Sequence, residues 1–109
     1  MQPFRERLAR PGVLLCDGAM GTLLLQRGLK AGECPERMNL ERPEVLEEIA
    51  RSYLAAGAEI LEANTFGGSP LKLAAYGLEG RTEEINARGV AAVRKAAGDF
   101  RSCSAFDRM

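Results

Sequence analysis

Val13-Leu14-Leu15-Cys16-Asp17-Gly18-Ala19-Met20-Gly21-Thr22 is the stretch on which the reading of this chain turns. Residues 13–16 form a continuous apolar run, closed by Gly12 before it and Asp17-Gly18 after it. A short run without alternation is expected of a strand buried on both faces, and such strands belong to parallel sheets covered by helices. Cys16, inside the run, reads as a small buried hydrophobe. Residues 19–26 then become helical in composition, with Met20, Leu23 and Leu24 apolar and Gly28 as the stop. The segment is a strand, a tight turn and a helix, the opening unit of an α/β fold.

Upstream, residues 5–10 suit a short amphipathic helix with Phe4 and Leu8 on one side, broken by Pro11-Gly12. Downstream, residues 30–39 are polar and turn-rich. Pro43 then opens the clearest helix: Glu44, Glu47 and Glu48 favour its positive end, and Leu46, Ile49, Ala50, Tyr53 and Leu54 make one apolar face. Glu47 and Arg51 can pair on the other face. Gly57 ends the helix, and residues 58–65 read as a second strand. Gly67-Gly68-Ser69-Pro70 resets the chain before a short helix over residues 71–76, capped by Gly77. Thr82 is the expected N-cap of a last helix running to about Ala97, with Ile85, Gly89, Ala92, Val93 and Ala96 facing inward and Gly98 stopping it.

Strand–helix alternation implies parallel neighbours joined by right-handed crossovers. Two strands do not make a self-sufficient parallel sheet, so the pattern predicts a third strand after Gly98. Residues 99–109 are instead charged and weakly patterned. The expected organisation is a partial domain over residues 1–98 and a divergent tail over residues 99–109.

Composition narrows the function. The chain has 109 residues, 46% hydrophobic and 28% charged, which fits one ordinary globular domain. Fifteen basic and fifteen acidic side chains cancel, so the positive face that a nucleic-acid partner needs is not expected. The apolar runs are too short to span a bilayer, and the charged N-terminus lacks a secretory apolar stretch, which points to a cytoplasmic protein. Three widely spaced cysteines, Cys16, Cys34 and Cys103, and no histidine make a zinc site or disulfide framework of this chain's own unexpected. A nucleophilic enzyme using Ser69, Cys34 or Cys103 would lack a histidine base.

In α/β folds the working residues lie where strands end and loops begin. Here those junctions are Asp17-Gly18-Ala19-Met20-Gly21-Thr22 and Asn64-Thr65-Phe66-Gly67-Gly68, side by side if the strands are parallel neighbours. Asp17 could hold a ligand's ammonium group by a charge-assisted hydrogen bond, or cap the following helix. The amides around Gly18 and Gly21 could meet an anion such as a carboxylate. Asn64 and Thr65 could orient a ligand or satisfy loop backbone; Phe66 could wall a pocket, though packing under the loop is the commoner use. Glu62 shares a side with Asn64 by alternation, and an inward carboxylate there needs an arginine or backbone amide. Asn86 is expected to be a packing or hydrogen-bonding residue.

Taken together, these residues resemble a known family. Asp17-Gly18-Ala19-Met20-Gly21-Thr22 is similar to the opening signature of the homocysteine-binding domain of methionine synthases and related homocysteine methyltransferases. Further blocks follow in family order: Cys34-Pro35-Glu36-Arg37-Met38-Asn39-Leu40 with Arg42-Pro43-Glu44-Val45, Tyr53-Leu54-Ala55-Ala56-Gly57-Ala58-Glu59-Ile60, and Glu62-Ala63-Asn64-Thr65-Phe66-Gly67. The resemblance covers residues 13–98 and is closest to the methionine synthase branch. It implies a (β/α)₈ TIM barrel, which needs about 250 residues, so this chain would supply only its N-terminal βα units. It implies methyl transfer to the zinc-bound thiolate of homocysteine, giving methionine, with zinc held by cysteine thiolates from later strands. None of the three cysteines matches those ligand motifs, so no metal ligand is assigned. Carried over by position, Asp17 would face the substrate ammonium, the backbone of Gly18, Ala19 and Met20 its carboxylate, and Asn64, Thr65 and Phe66 would line the pocket. The expected function is a truncated methyltransferase domain, inactive alone, its end a truncation or frame shift. The alternative is a non-catalytic binding or assembly module that uses the same half-site and self-associates through an exposed sheet edge.

Overall fold

The computed structural model describes the backbone of residues 3–103 and the side chains of residues 3–100. The short helix α1 (Phe4–Ala9) buries none of its residues and is tied to the body by Arg7, whose guanidinium lies 3.0 Å from Glu59. An extended segment leads from it to α2 (Gly21–Gln26), which starts two residues later than expected. Gly28 follows with φ 108°, and a Cβ there would lie 2.6 Å from the Arg42 guanidinium that reaches back to the Arg27 carbonyl. The turn-rich stretch that follows contains helical structure of its own, a 3₁₀ turn over Pro35–Arg37 and α3 (Met38–Glu41).

Helix α4 (Pro43–Ala55) begins at its proline, and Val45, Leu46, Ile49 and Ala50 are buried, close to the face expected from the spacing. Ser69 caps α5 (Pro70–Ala74) by accepting the Lys72 N–H at 3.2 Å. The last helix, α6 (Thr82–Cys103), differs from expectation at both ends. The Thr82 hydroxyl donates to the Glu79 carbonyl at 2.7 Å rather than accepting as an N-cap. Gly98 does not stop the helix, since one glycine costs only about 1 kcal/mol against alanine within a long helix. The tail expected over residues 99–109 therefore divides: residues 99–103 continue α6 and residues 104–109 lie outside the described part. The expected third strand is not found in residues 99–103.

The core lies between helices. Leu24, Leu29, Met38, Val45, Leu46, Ile49 and Ala92 form one cluster, against which Met20, Leu23 and Tyr53 pack. Ala92 and Ala96 let α6 approach α4 closely, and Lys95 reaches Glu47 at 3.1 Å across that junction. The expected Glu47–Arg51 pair is present at 3.7 Å. Cys34, Leu73 and Ile85 make a second cluster with Leu40 and Leu78 under the loops that precede α6.

The two apolar segments expected as strands do pair in parallel, but through a single bridge, Cys16 with Ile60, and no β-ladder forms among the described residues. The Leu15 carbonyl accepts the Glu59 and Ile60 amides at 2.7 and 3.1 Å, and the Asp17 amide donates to the Ile60 carbonyl at 2.9 Å. The first segment, residues 13–16, is expected to be buried on both faces; instead Val13 is 78% and Leu15 54% exposed. Among the described residues, nothing buries these two side chains. A radius of gyration of 15.1 Å, against about 13 Å for a compact domain of 100 residues, records the same openness.

Because Ile49 is fully buried between α4 and its neighbours, Ile49→Ala is expected to destabilise the chain by about 2–5 kcal/mol. Val90→Ala, at a partly exposed position of α6, should cost less than about 1 kcal/mol. Urea unfolding of both variants checks the placement of the core.

Candidate functional site

The parallel bridge places the ends of both extended segments together. Past it the Asp17 carboxylate turns back across the pair, and its Oδ2 accepts the Glu62 backbone N–H at 3.0 Å. Asp17 does not cap α2: Met20 holds the N-cap position, with no side-chain capping bond. Asp17 is half-buried, while Gly18 and Ala19 are exposed and Met20 leans into the helical core. Tyr53, on the inner face of α4, donates its hydroxyl to the Ala19 carbonyl at 2.7 Å. A Cβ at Gly18 would lie 3.2 Å from that hydroxyl, so the glycine allows the loop to rest on Tyr53.

The second tip is held from below by side chains that periodicity does not single out. Asn39 is fully buried; its Nδ2 donates to the Asn64 carbonyl at 2.9 Å and to the Ile85 carbonyl at 3.0 Å. Asn64 answers with Nδ2 donating to Asn39 Oδ1 at 2.9 Å and to the Pro35 carbonyl at 3.0 Å. Both amide hydrogens of Asn64 are thus spent inside the protein. Glu36 accepts the Gly67 N–H at 3.0 Å, and Asn86 donates to the Gly68 carbonyl at 2.8 Å. Thr65 is half-buried, its methyl close to Gly89 of α6. Phe66, expected to pack under the loop, is 92% exposed, with the Lys72 ammonium 4.6 Å from its ring centre. Beside it lies an open depression of about 390 Å³, bounded by Pro35, Glu36, Phe66, Gly67, Leu71 and Tyr76.

Two expectations about the first tip change. Cys16 is exposed, and Cys34 is the buried thiol. Glu62 also lies exposed, its Oε1 3.8 Å from Cys16 Sγ, and no arginine or amide partner of its carboxylate is found among the described residues. Partial desolvation, then the hydrogen bond to Asp17 and the charges of Asp17 and Glu62, raises the Cys16 thiol above its ordinary range. Burial raises Cys34. Cys16, Asp17 and Glu62 are the group among the described residues whose ligand atoms all lie within 4.8 Å of one another. One thiol with two carboxylates, one of them already bonded to backbone, is not the set of cysteine ligands that the resemblance implies for zinc.

A profile of the homocysteine S-methyltransferase family matches residues 14–108. The chain belongs to that family. Within the homocysteine S-methyltransferases it is 39% identical over 98 residues to the methionine synthase of Mycobacterium tuberculosis and 38% identical over 96 residues to that of Mycobacterium leprae. Those matches take in 83% and 81% of this chain but only 8% of either relative. Among solved structures, the metallated form of the homocysteine methyltransferase MmuM from Escherichia coli superposes with a TM-score of 0.81 at 30% identity, over 93% of this chain and 36% of that one. Its oxidized form gives 0.79 at 29% identity. No helix among the described residues is long and apolar enough to cross a membrane.

Sequence reasoning found both tips of this homocysteine S-methyltransferase chain but passed over Glu36, Asn39 and Tyr53 as members of the site. Their partners lie 25 or more residues away, and no local spacing signals such a bond. The electrostatics of the first tip can be tested directly. Asp17→Asn removes a negative charge beside the thiol, so the Cys16 thiol should fall toward its ordinary range. Iodoacetamide should then alkylate Cys16 faster at pH 8 than in the unsubstituted chain, with Cys34 unchanged, as read by mass spectrometry of the peptides.

Proposed function

We propose that residues 1–98 are the opening βα units of a (β/α)₈ methyltransferase barrel and bind the amino-acid end of homocysteine for its methylation to methionine. The observation that carries this is the Asp17 carboxylate, half-buried at the shared end of two parallel segments and fixed there by the Glu62 amide. From that position Asp17 holds the substrate ammonium by a charge-assisted hydrogen bond. The backbone of Gly18, Ala19 and Met20 meets the carboxylate, and Thr65 and Phe66 wall the side chain. Asn64, its amide hydrogens spent on Asn39 and Pro35, contributes by holding this wall in place. Zinc, where such an enzyme holds it, keeps the homocysteine sulfur deprotonated; in this reading its ligands come from parts of the barrel beyond this sequence. The methyl donor is likewise bound elsewhere, and the reaction belongs to the cytoplasm.

The test compares the purified chain with a version extended to barrel length. The extended protein should methylate homocysteine with zinc bound, and Asp17→Asn should weaken homocysteine binding about tenfold to a hundredfold, the worth of one charged hydrogen bond. The 109-residue chain should show neither turnover nor stoichiometric zinc. Unchanged affinity in Asp17→Asn would remove the proposed role of this carboxylate, and turnover by the short chain would remove the division of labour.

One observation favours a second reading, an assembly module: Val13 and Leu15 expose apolar side chains along a paired segment, and such edges recruit further chains. Size-exclusion chromatography of the short chain should then show association that rises with concentration. A monomer at all concentrations would count against it.

A further inference from the structure

Glu36 is the one charged side chain among the described residues that is buried, at 5% exposure. Covering a carboxylate is costly unless its oxygens are bonded. Here Oε2 accepts the Gly67 amide at 3.0 Å, and Oε1 takes a weak contact from the Cys34 thiol at 3.6 Å. The Gly67 bond crosses 31 residues of sequence and ends between Phe66, which walls the depression, and Gly68, whose carbonyl Asn86 holds. The fit is tight from both sides, since a Cβ on Gly67 would lie 2.8 Å from Glu36 Oε1. A neutral or apolar side chain would fill the same volume without burying a charge. An apolar one would leave the Gly67 amide without its acceptor, and supplying that acceptor oxygen is the role this side chain serves.

We propose that Glu36 is a positioning residue for the homocysteine-binding tip, fixing residues 64–68 through the Gly67 amide so that Thr65 and Phe66 stand opposite Asp17. This rests on the reading above for its ligand, but not for its mechanical claim. Asn39 anchors the start of the turn and Asn86 its end; Glu36 holds the middle, where the exposed aromatic ring leaves the chain with little packing of its own.

Amide hydrogen exchange by NMR on the purified chain tests it, followed by titration with L-homocysteine. In Glu36→Ala the amide at position 67 should exchange about tenfold to a hundredfold faster, while amides of α4 such as Ile49 and Ala50 keep their rates. Glu36→Gln retains an acceptor oxygen and should stay within about threefold of the unsubstituted chain. Should Glu36→Ala lose protection throughout, Glu36→Gln and Gly67→Ala decide: protection near position 67 kept in the first and lost in the second supports the clamp, and equal behaviour overturns it. An unchanged rate in Glu36→Ala overturns it, as does Glu36→Gln failing as badly as Glu36→Ala, which would mean that the charge, not the acceptor, is what matters. Homocysteine shifts that weaken in Glu36→Ala and return in Glu36→Gln complete the case. If the unsubstituted chain shows no such shifts, the ligand reading fails while the exchange comparison still judges the clamp.

Discussion

Two buried amides, Asn39 and Asn64, face each other across the base of the second tip, and the arrangement of this half-site follows from them. Asn39 sits at 0% exposure on a short helix that packs against α4 and α6, so its position is set by the hydrophobic core. Through it the core determines where the loop after the second extended segment begins. Buried amides without partners are costly, and here the donors of both are matched to carbonyls or to each other. The pair acts as a lock: displacing either residue strands polar groups of the other, and of Pro35 and Ile85, away from water.

The first tip is built on a different principle. It has little apolar cover and is organised by charge and backbone pairing: one parallel bridge, the Asp17–Glu62 hydrogen bond and the Tyr53 hydroxyl beneath. Partial desolvation, then the hydrogen bond to Asp17 and the negative charges of Asp17 and Glu62, raises the Cys16 thiol there. The second tip presents different elements, an aromatic ring and a turn held by buried side chains.

Membership of the homocysteine S-methyltransferase family rests on a match over residues 14–108, and the chain spans 8% of the curated relatives it matches and 36% of the solved MmuM chain. Parallel strands are stable when both faces are covered, and among the described residues the two paired segments meet in a single bridge. Val13 and Leu15 keep the apolar character of buried strand residues while standing in solvent.

Much of this was legible in the residues themselves. The helix from Pro43 declared itself through its opening proline, its acidic first turn and the Leu46, Ile49 and Ala50 spacing, because those signals act within a few residues of one another. The parallel relation of the two apolar segments was also readable, since the helix between them leaves few other topologies. Local sequence determined most of the helical segments, though not the short helix over Met38–Glu41, and the family to which the chain belongs. Only tertiary structure decided that Cys16 is exposed and Cys34 buried, that α6 runs through Gly98, and that Glu36, Asn39 and Tyr53 carry the tips. Those outcomes depend on partners distant in sequence and on which faces find cover, and neither is encoded in the spacing of neighbouring residues.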